Sequence, residues 1–322
     1  MKVLVIGSSG LIGQWVIDRL RKEGHQTIGL DKTPPQLPTG TSEHIICDIL
    51  DRSALISKVS IVSPDALIHL AARTDLDETK NLIGYAANID GVRNIIEAVR
   101  QAPAIKRAIY TSSQLVCRVG HTPLSDTDYC PDTLYGQSKV LTEKIVREED
   151  GGGVEWCLTR PTTIWGPYMG PHYQNMLRLI RKGWYFHCGK GKLYKSYGYV
   201  GNIANQYVRL LTAKADIIYR KTFYLADYQP LSLRDYADGL AREMNSPGIP
   251  TAPILMARFL AVMGDILNAC GFKRFPFNSF RLKNILTEYI FDLSSTEAAC
   301  GPALFTHEQG IKETAKWFLA LN

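Results

Sequence analysis

Residues 2–13 read Lys-Val-Leu-Val-Ile-Gly-Ser-Ser-Gly-Leu-Ile-Gly. Apolar residues from Val3 to Ile6 run straight into glycines at 7, 10 and 13. That is the pattern of a buried strand, a tight turn and the opening of a helix, and it does not read as a signal sequence. Without side chains the backbone turns sharply and approaches an anion at the helix N-terminus, where N–H groups and the helix dipole favour negative charge. Glycine-rich turns are common, and it is the placement between strand and helix that makes this one a dinucleotide-binding signal. Gly7, Ser9, Gly10, Leu11, Ile12 and Gly13 are therefore expected to hold a pyrophosphate. Asp31 closes the next strand-like run, at about the spacing of a carboxylate that grips a ribose 2′-OH. A carboxylate there repels a 2′-phosphate, which favours NAD over NADP, although Lys32 beside it softens the preference.

Outward from this unit the alternation continues. Strand-like runs at Val3–Ile6, Thr27–Leu30, Ile45–Cys47, Ala66–Leu70, Ala108–Thr111 and Trp156–Thr159 are separated by helix-period segments such as Leu11–Lys22, Ala87–Gln101 and Ser138–Glu148. The fold class expected is α/β, a Rossmann-type doubly wound parallel sheet with a smaller mixed C-terminal substrate domain. Such sheets bind ligands beyond the carboxyl ends of their strands, where the connectivity reverses. After Gly166 the pattern loosens around Pro167, Pro171, Pro230, Pro247, Pro250 and Pro253. The expected division is an NAD-binding domain over 1–165 and a mainly substrate-binding domain over 166–322, with part of about 198–230 returning to the first.

The bulk properties exclude some classes. A chain of 322 residues, 45% hydrophobic, buries a large core. A formal charge of +6, from 37 Lys+Arg against 31 Asp+Glu, attracts anionic small molecules mildly, and no basic run reads as a nucleic-acid patch. Seven cysteines scattered from Cys47 to Cys300 without paired spacing fit reduced thiols in a cytoplasm, and no C-x-x-C or His/Cys cluster suggests a metal. The longest apolar stretch, Ile254 to Phe272, is broken by Arg258, Asp265 and Asn268. It falls short of the roughly 20 residues of a membrane span. Lying on a bilayer is one reading of it; a helix covering the substrate pocket is the one preferred.

The chemistry is expected at Tyr135 and Lys139, in Y-G-Q-S-K. Spacing of four puts phenol and ammonium on one helix face. A nearby ammonium favours the phenolate and brings the tyrosine towards proton exchange at neutral pH. Alone the pair is a weak signal; the upstream glycine turn, Asp31 and a hydroxyl cluster ending at Ser113 turn it into a redox site.

Several motifs in order carry a resemblance. They are G-S-S-G-L-I-G at Gly7, C-D-I-L-D at Cys47, H-L-A-A at His69, N-I-D-G-V-R-N at Asn88, Y-T-S-S at Tyr110, Y-G-Q-S-K at Tyr135, R-P-T-T-I-W-G-P at Arg160 and I-K-E-T-A-K-W at Ile311. Over nearly its whole length the chain resembles the extended short-chain dehydrogenase/reductases, in the branch of nucleotide-sugar epimerases, dehydratases and reductases. The resemblance implies that Asp48 and Ile49 flank the adenine and that Leu70, Ala71 and Ala72 line the path to the nicotinamide. Asn88 would brace the central helix, Thr111 and Pro161 would complete the cofactor site, and Lys139 would also bond the nicotinamide ribose. Ser113 and Tyr135 would exchange a proton with a sugar hydroxyl or ketone, with Thr74, Asn175, Lys195 and Arg281 as further substrate contacts. It also implies a homodimer through Ala87–Gln101 and Ser138–Glu148.

Departures narrow the reaction. Dehydratases of this type carry Asp-Glu after the catalytic hydroxyl, decarboxylases a glutamate, and double epimerases a cysteine; here Gln114 and Leu115 follow Ser113. Cys117, two positions on, reads as packing. Lys195 stands where the relatives usually have arginine and Asn202 where they have aspartate, and His172 near Asn175 is a weaker candidate for proton transfer. The reading is an NAD-dependent 4-epimerase or 4-keto reductase of a nucleotide-activated sugar. Two alternatives stay open: a hydroxysteroid- or flavonol-reductase-like enzyme for a hydrophobic alcohol, and a non-catalytic dinucleotide sensor.

Overall fold

A computed structural model of the chain describes residues 1–35, 43–76, 78, 80–271 and 277–321, apart from the side chain of His172; that candidate and Phe272 thus lie outside the described residues. The strand–helix alternation is realised as β1 (Lys2–Ile6), α1 (Leu11–Lys22), β2 (Gln26–Asp31), β3 (Glu43–Ile46), α2 (Arg52–Val62), β4 (Ala66–His69), α3 (Ala86–Arg100), β5 (Arg107–Thr111), α4 (Leu134–Glu148) and β6 (Glu155–Pro161). There follow α5 (Pro171–Arg181), α6 (Val200–Thr212), α7 (Ala215–Ile218), β7 (Lys221–Leu225), α8 (Leu233–Glu243), α9 (Ile254–Ala269), α10 (Ser279–Leu286), α11 (Ser294–Cys300) and α12 (His307–Ala320), with short two- and three-residue strands between some of them.

Seven parallel strands form one sheet in the order β7-β6-β5-β4-β1-β2-β3. Parallel strands are covered on both faces, which is why Val3, Leu4, Val5 and Ile6 have no exposed surface. α1 packs on α6, and α2, α3 and α4 pack side by side. The strand order reverses at β1, whose neighbours are β2 and β4. A crevice therefore opens past the carboxyl ends of β1 and β4.

The chain falls into two units. The first comprises residues 1–164, 198–228 and 291–304; the second 165–197, 229–290 and 305–322. The return of 291–304 to the first unit was not anticipated from the sequence. It has local causes: Phe291 stacks on Tyr224 with ring centroids 4.3 Å apart, Thr296 donates to the Tyr224 carbonyl at 2.8 Å, and the Leu304 N–H donates to Asn202 at 3.0 Å. The helix α4 starts a turn earlier than its periodicity suggested, because Thr133 caps it by accepting from the Gly136 N–H at 3.0 Å.

Within the second unit α8 packs on α12 and α5, and α10 packs on α9. The inward side of α9 is made of Ala257, Ala261 and Gly264, while Leu255, Met256, Phe259, Val262, Met263 and Ile266 are exposed.

Candidate active site

The glycine turn fits its expected role for steric reasons. Gly7 has φ +88°, and a Cβ there would sit 2.4 Å from the Ala71 backbone nitrogen; one on Gly13 would sit 2.3 Å from the Gly7 carbonyl oxygen. The turn after β1 is thus pressed backbone to backbone against the loop after β4, at the sheet's switch point. Leu70 and Ala71 fix that loop, both donating to the Ile6 carbonyl, at 2.7 and 3.1 Å. Gly10 caps α1 without a side-chain bond, and the first turn of α1 carries no acidic residue. The N-terminus of α1 therefore starts just past β1 at the switch point, where helix N–H groups and the dipole favour an incoming pyrophosphate.

Asp31 ends β2 and accepts from the Ser9 N–H at 3.1 Å and from the Thr33 N–H and hydroxyl at 3.1 and 3.2 Å. It ties the glycine turn to the edge of the site and, with about four lone-pair positions on a carboxylate, keeps room for a ribose hydroxyl. Lys32 is exposed beside it. Asp48 is exposed, with one oxygen accepting from the Leu50 N–H at 2.9 Å. Beside it the Ile49 side chain is core, pressed over Gly91, and its carbonyl accepts from Asn94 at 2.9 Å. It can offer an adenine only backbone. Ala72 is half-buried beyond Ala71, and Thr74 is exposed on the same loop.

Two helices meet around Asn88. Its side chain accepts from the Arg73 N–H at 2.9 Å and donates to the Arg73 carbonyl at 3.0 Å and to Ser138 at 2.9 Å. It therefore locks the loop after β4 to α4, one turn from the catalytic candidates. Tyr85, which sequence reasoning passed over, has its ring centroid 6.0 Å from that of Tyr135 and its hydroxyl on the Asp75 carbonyl at 2.7 Å. It walls the phenol on one side.

Tyr135 and Lys139 are buried on one face of α4. The Lys139 ammonium donates to the Thr111 carbonyl at 2.9 Å, at the end of β5, and burial pushes its pKa down to about 8 against the raising influence of Glu143. Thr111 serves through that carbonyl, since its hydroxyl is taken up with Tyr207 at 2.8 Å and Thr159 at 3.3 Å. Ser113 lies two residues beyond, its oxygen accepting from the Leu115 N–H at 3.2 Å and its own proton left to donate. The next residue after Tyr135 brings the two segments together: a Cβ on Gly136 would be 2.3 Å from the Leu115 carbonyl oxygen. The start of α4 thus rests on the backbone just past Ser113. His69, buried at the end of β4, is held neutral, its pKa pushed down to about 3 by desolvation and then by the Lys139 charge.

A second feature missed in the sequence holds α4 in place. Fully buried Arg160 on β6 donates to both oxygens of fully buried Glu143 on α4, at 2.7 and 2.8 Å, and its guanidinium lies over the rings of Tyr129 and Tyr224. Pro161 follows at the buried end of β6, paired with Leu225 of β7.

The remaining substrate candidates belong to the second unit. Lys195 is buried; its ammonium donates to the Asn284 carbonyl and sits 5.2 Å from the centre of the Tyr289 ring, and burial pushes its pKa down to about 8. Arg281 is half-buried, and its pKa is lowered by desolvation. Asn175 is exposed on α5, its oxygen accepting from Arg178 at 2.8 Å. Asn202, on α6 of the first unit, donates to Asp227 at 2.7 Å and is structural. Among the described residues no cluster of His, Cys, Asp or Glu could hold a metal ion.

The chain is similar to several known proteins. A family model described as the NAD dependent epimerase/dehydratase family matches residues 3–225. The chain is 27% identical over 321 residues to an N-acetyl-alpha-D-glucosaminyl-diphospho-ditrans,octacis-undecaprenol 4-epimerase of Escherichia coli O157:H7, covering 98% of this chain and 94% of that one. It is 30% identical over 178 residues to a 3-beta-hydroxysteroid dehydrogenase of Mycolicibacterium neoaurum, covering 51% of this chain and 48% of the relative. Among solved structures, UDP-glucose 4-epimerase of Thermotoga maritima with UDP-glucose superposes with a TM-score of 0.77 at 18% identity, over 100% of this chain and 99% of that one. At that identity the likeness is one of fold.

Proposed function

This chain belongs to the NAD-dependent epimerase/dehydratase family, and from that premise we propose that it interconverts an alcohol and a ketone at C4 of a diphosphate-activated sugar, as a 4-epimerase or a 4-keto reductase. The observation that carries the reading is the buried Ser113–Tyr135–Lys139 set followed by Gln114 and Leu115. Ser113 donates to the sugar oxygen, Tyr135 takes or returns its proton, and the Lys139 ammonium stabilises the phenolate. Bound NAD supplies the hydride acceptor and donor. Leu115 has no proton to exchange and the Gln114 amide is neither an acid nor a base at neutral pH, so elimination of water across C5–C6 has no acid or base at these two positions. Asn175, Lys195 and Arg281 are the residues assigned to the diphosphate.

The E. coli relative is named for a sugar carried on diphospho-undecaprenol, so the carrier is either a nucleotide or a polyprenol. The test is turnover in D2O of UDP- and GDP-sugars and of polyprenyl-diphosphate sugars, followed by NMR. A C4 epimer, or a reduced 4-keto sugar with NADH consumed, with no solvent deuterium at C5, supports the reading; deuterium at C5 overturns it. The steroid-dehydrogenase likeness favours a second reading, oxidation of an apolar alcohol. NADH formed from such alcohols, with all sugars inert, would establish it instead. Inertness towards both panels would leave dinucleotide sensing, which the intact set of three argues against.

The seven free cysteines accord with a reducing cytoplasm. A homodimer through α3 and α4 belongs to the same proposal and is checked by light scattering.

A further inference from the structure

α9 has two apolar faces of opposite character. Ala257, Ala261 and Gly264 point inward, the two alanines packing with Leu282 and with partly buried Cys188, Phe277 and Leu286. Leu255, Phe259, Val262, Met263 and Ile266 point outward, between 40% and 74% exposed, and Phe280 of α10 is 53% exposed. At about 100° per residue these five fall within one sector of about 100°, opposite the small residues. A water-facing helix does the reverse, burying its large apolar side chains and exposing polar ones.

The charge is as uneven as the hydrophobicity. The second unit, which holds α9, carries 15 Lys+Arg against 7 Asp+Glu, a formal +8; the first carries 22 against 24, a formal −2. Exposed Arg258 flanks the apolar sector with exposed Asp265 beside it, and exposed Lys283 lies on α10, so the positive excess belongs to the unit around the helix. An apolar face beside basic side chains is the signature of a helix lying in a lipid interface. α9 does not cross a membrane: at 16 residues it is about 24 Å long, and no helix among the described residues is long and apolar enough.

We infer that the outer face of α9, with Phe280, docks the second unit onto an anionic lipid bilayer, the helix lying in the plane of the interface. A second copy of this chain would cover the apolar sector but would set one +8 unit against another. An anionic bilayer satisfies both the hydrocarbon and the charge. The docking does not depend on which sugar is turned over.

The experiment is co-sedimentation of the full chain with vesicles of phosphatidylcholine alone and of phosphatidylcholine mixed with phosphatidylglycerol. The wild type should sediment with the anionic vesicles and be released as salt is raised. Leu255→Gln/Phe259→Gln/Ile266→Gln should lower the partition coefficient by a factor of about 100 or more, since each buried large apolar side chain is worth about tenfold. All three positions face solvent, so the variant's melting curve should match the wild type. Phe259→Trp adds a direct readout, a blue-shifted emission on anionic vesicles. A wild type that stays in the supernatant with both vesicles, or a triple variant that sediments equally well, overturns the docking. So does a lipid-free mass that halves in the triple variant, since a second copy would then be the occupant.

Discussion

Helices α4 and α9 are almost equal in length, 15 and 16 residues, and they depart from the ordinary rule of burial in opposite senses. α4 hides a phenol, an ammonium and a carboxylate at Tyr135, Lys139 and Glu143; α9 shows water Leu255, Phe259 and Ile266. Each departure works against stability. Buried charge loses hydration and exposed hydrocarbon forgoes burial, and nothing in folding alone requires either. On α4 the loss is repaired by named partners: the Thr111 carbonyl for Lys139, and Arg160 with Tyr129 for Glu143. On α9 no such repair exists within the described part of its own unit. A buried and satisfied anomaly marks chemistry, and an exposed and unsatisfied one marks a surface awaiting a partner.

The contrast can be broken by substitution, and the largest effect is expected at the phenol. Tyr135→Phe should bind NAD within a few-fold of wild type by calorimetry yet lose about 10³ in turnover, the scale of one positioned proton carrier. Retained turnover would mean that α4 buries its tyrosine only for packing.

Lys139→Met should come next, with turnover down about 10²-fold. Here the sign of the stability change separates function from architecture. Folded Lys139 has its pKa lowered to about 8, below the unfolded value, so the folded state binds that proton less tightly. The penalty is fully present below pH about 8 and fades as pH rises towards the unfolded pKa. Removing the charge should therefore raise stability at neutral pH by about 1–2 kcal/mol, allowing for the bond lost to the Thr111 carbonyl, and the gain should shrink in alkali. A denaturant titration at two pH values checks it. In the wild type, turnover should decline as pH rises through about 8 and the ammonium is lost.

A smaller effect is expected at Gly136. Gly136→Ala favours the helix, but its Cβ would meet the Leu115 carbonyl at 2.3 Å, so α4 must shift away from Ser113. About a tenfold fall in turnover with NAD affinity unchanged is expected, because small displacements of reacting groups are costly. The smallest effect belongs to the other helix. Phe259→Ser should change unfolding free energy by no more than about 0.5 kcal/mol and leave turnover of a water-soluble substrate intact. A loss of about 3–5 kcal/mol, the range for an emptied aromatic core site, would mean the outer face of α9 is packed after all.

Much of the first helix was legible in the sequence and much of the second was not. The Gly7 turn, Asp31 and the Tyr135–Lys139 spacing are local patterns, set by φ, by the strand–helix step and by the pitch of one helix. The Glu143–Arg160 pair joins residues 17 apart on a helix and a strand, with no periodicity to announce it. Tyr85 reaches Tyr135 only through tertiary packing, and Ile49 is core because α3 has a glycine opposite it. In α9 both faces are apolar, so hydrophobic period alone cannot say which is buried. The answer came from size: Ala257, Ala261 and Gly264 permit close approach, and the larger residues do not.

The segmented layout of the first unit carries a consequence for how the protein is made. The chain passes from one unit to the other five times, and α6, β7 and residues 291–304 all belong to the unit that begins at Met1. A nascent chain leaving the ribosome therefore has β6 without its β7 neighbour until some 60 further residues have emerged, has α1 without α6 for far longer, and forms the Phe291–Tyr224 stack later still. The amino-terminal half thus emerges with one sheet edge and one helix face uncovered. Amino-terminal truncation libraries and split-reporter fusions cut near residue 165 should yield insoluble fragments rather than a free-standing dinucleotide module.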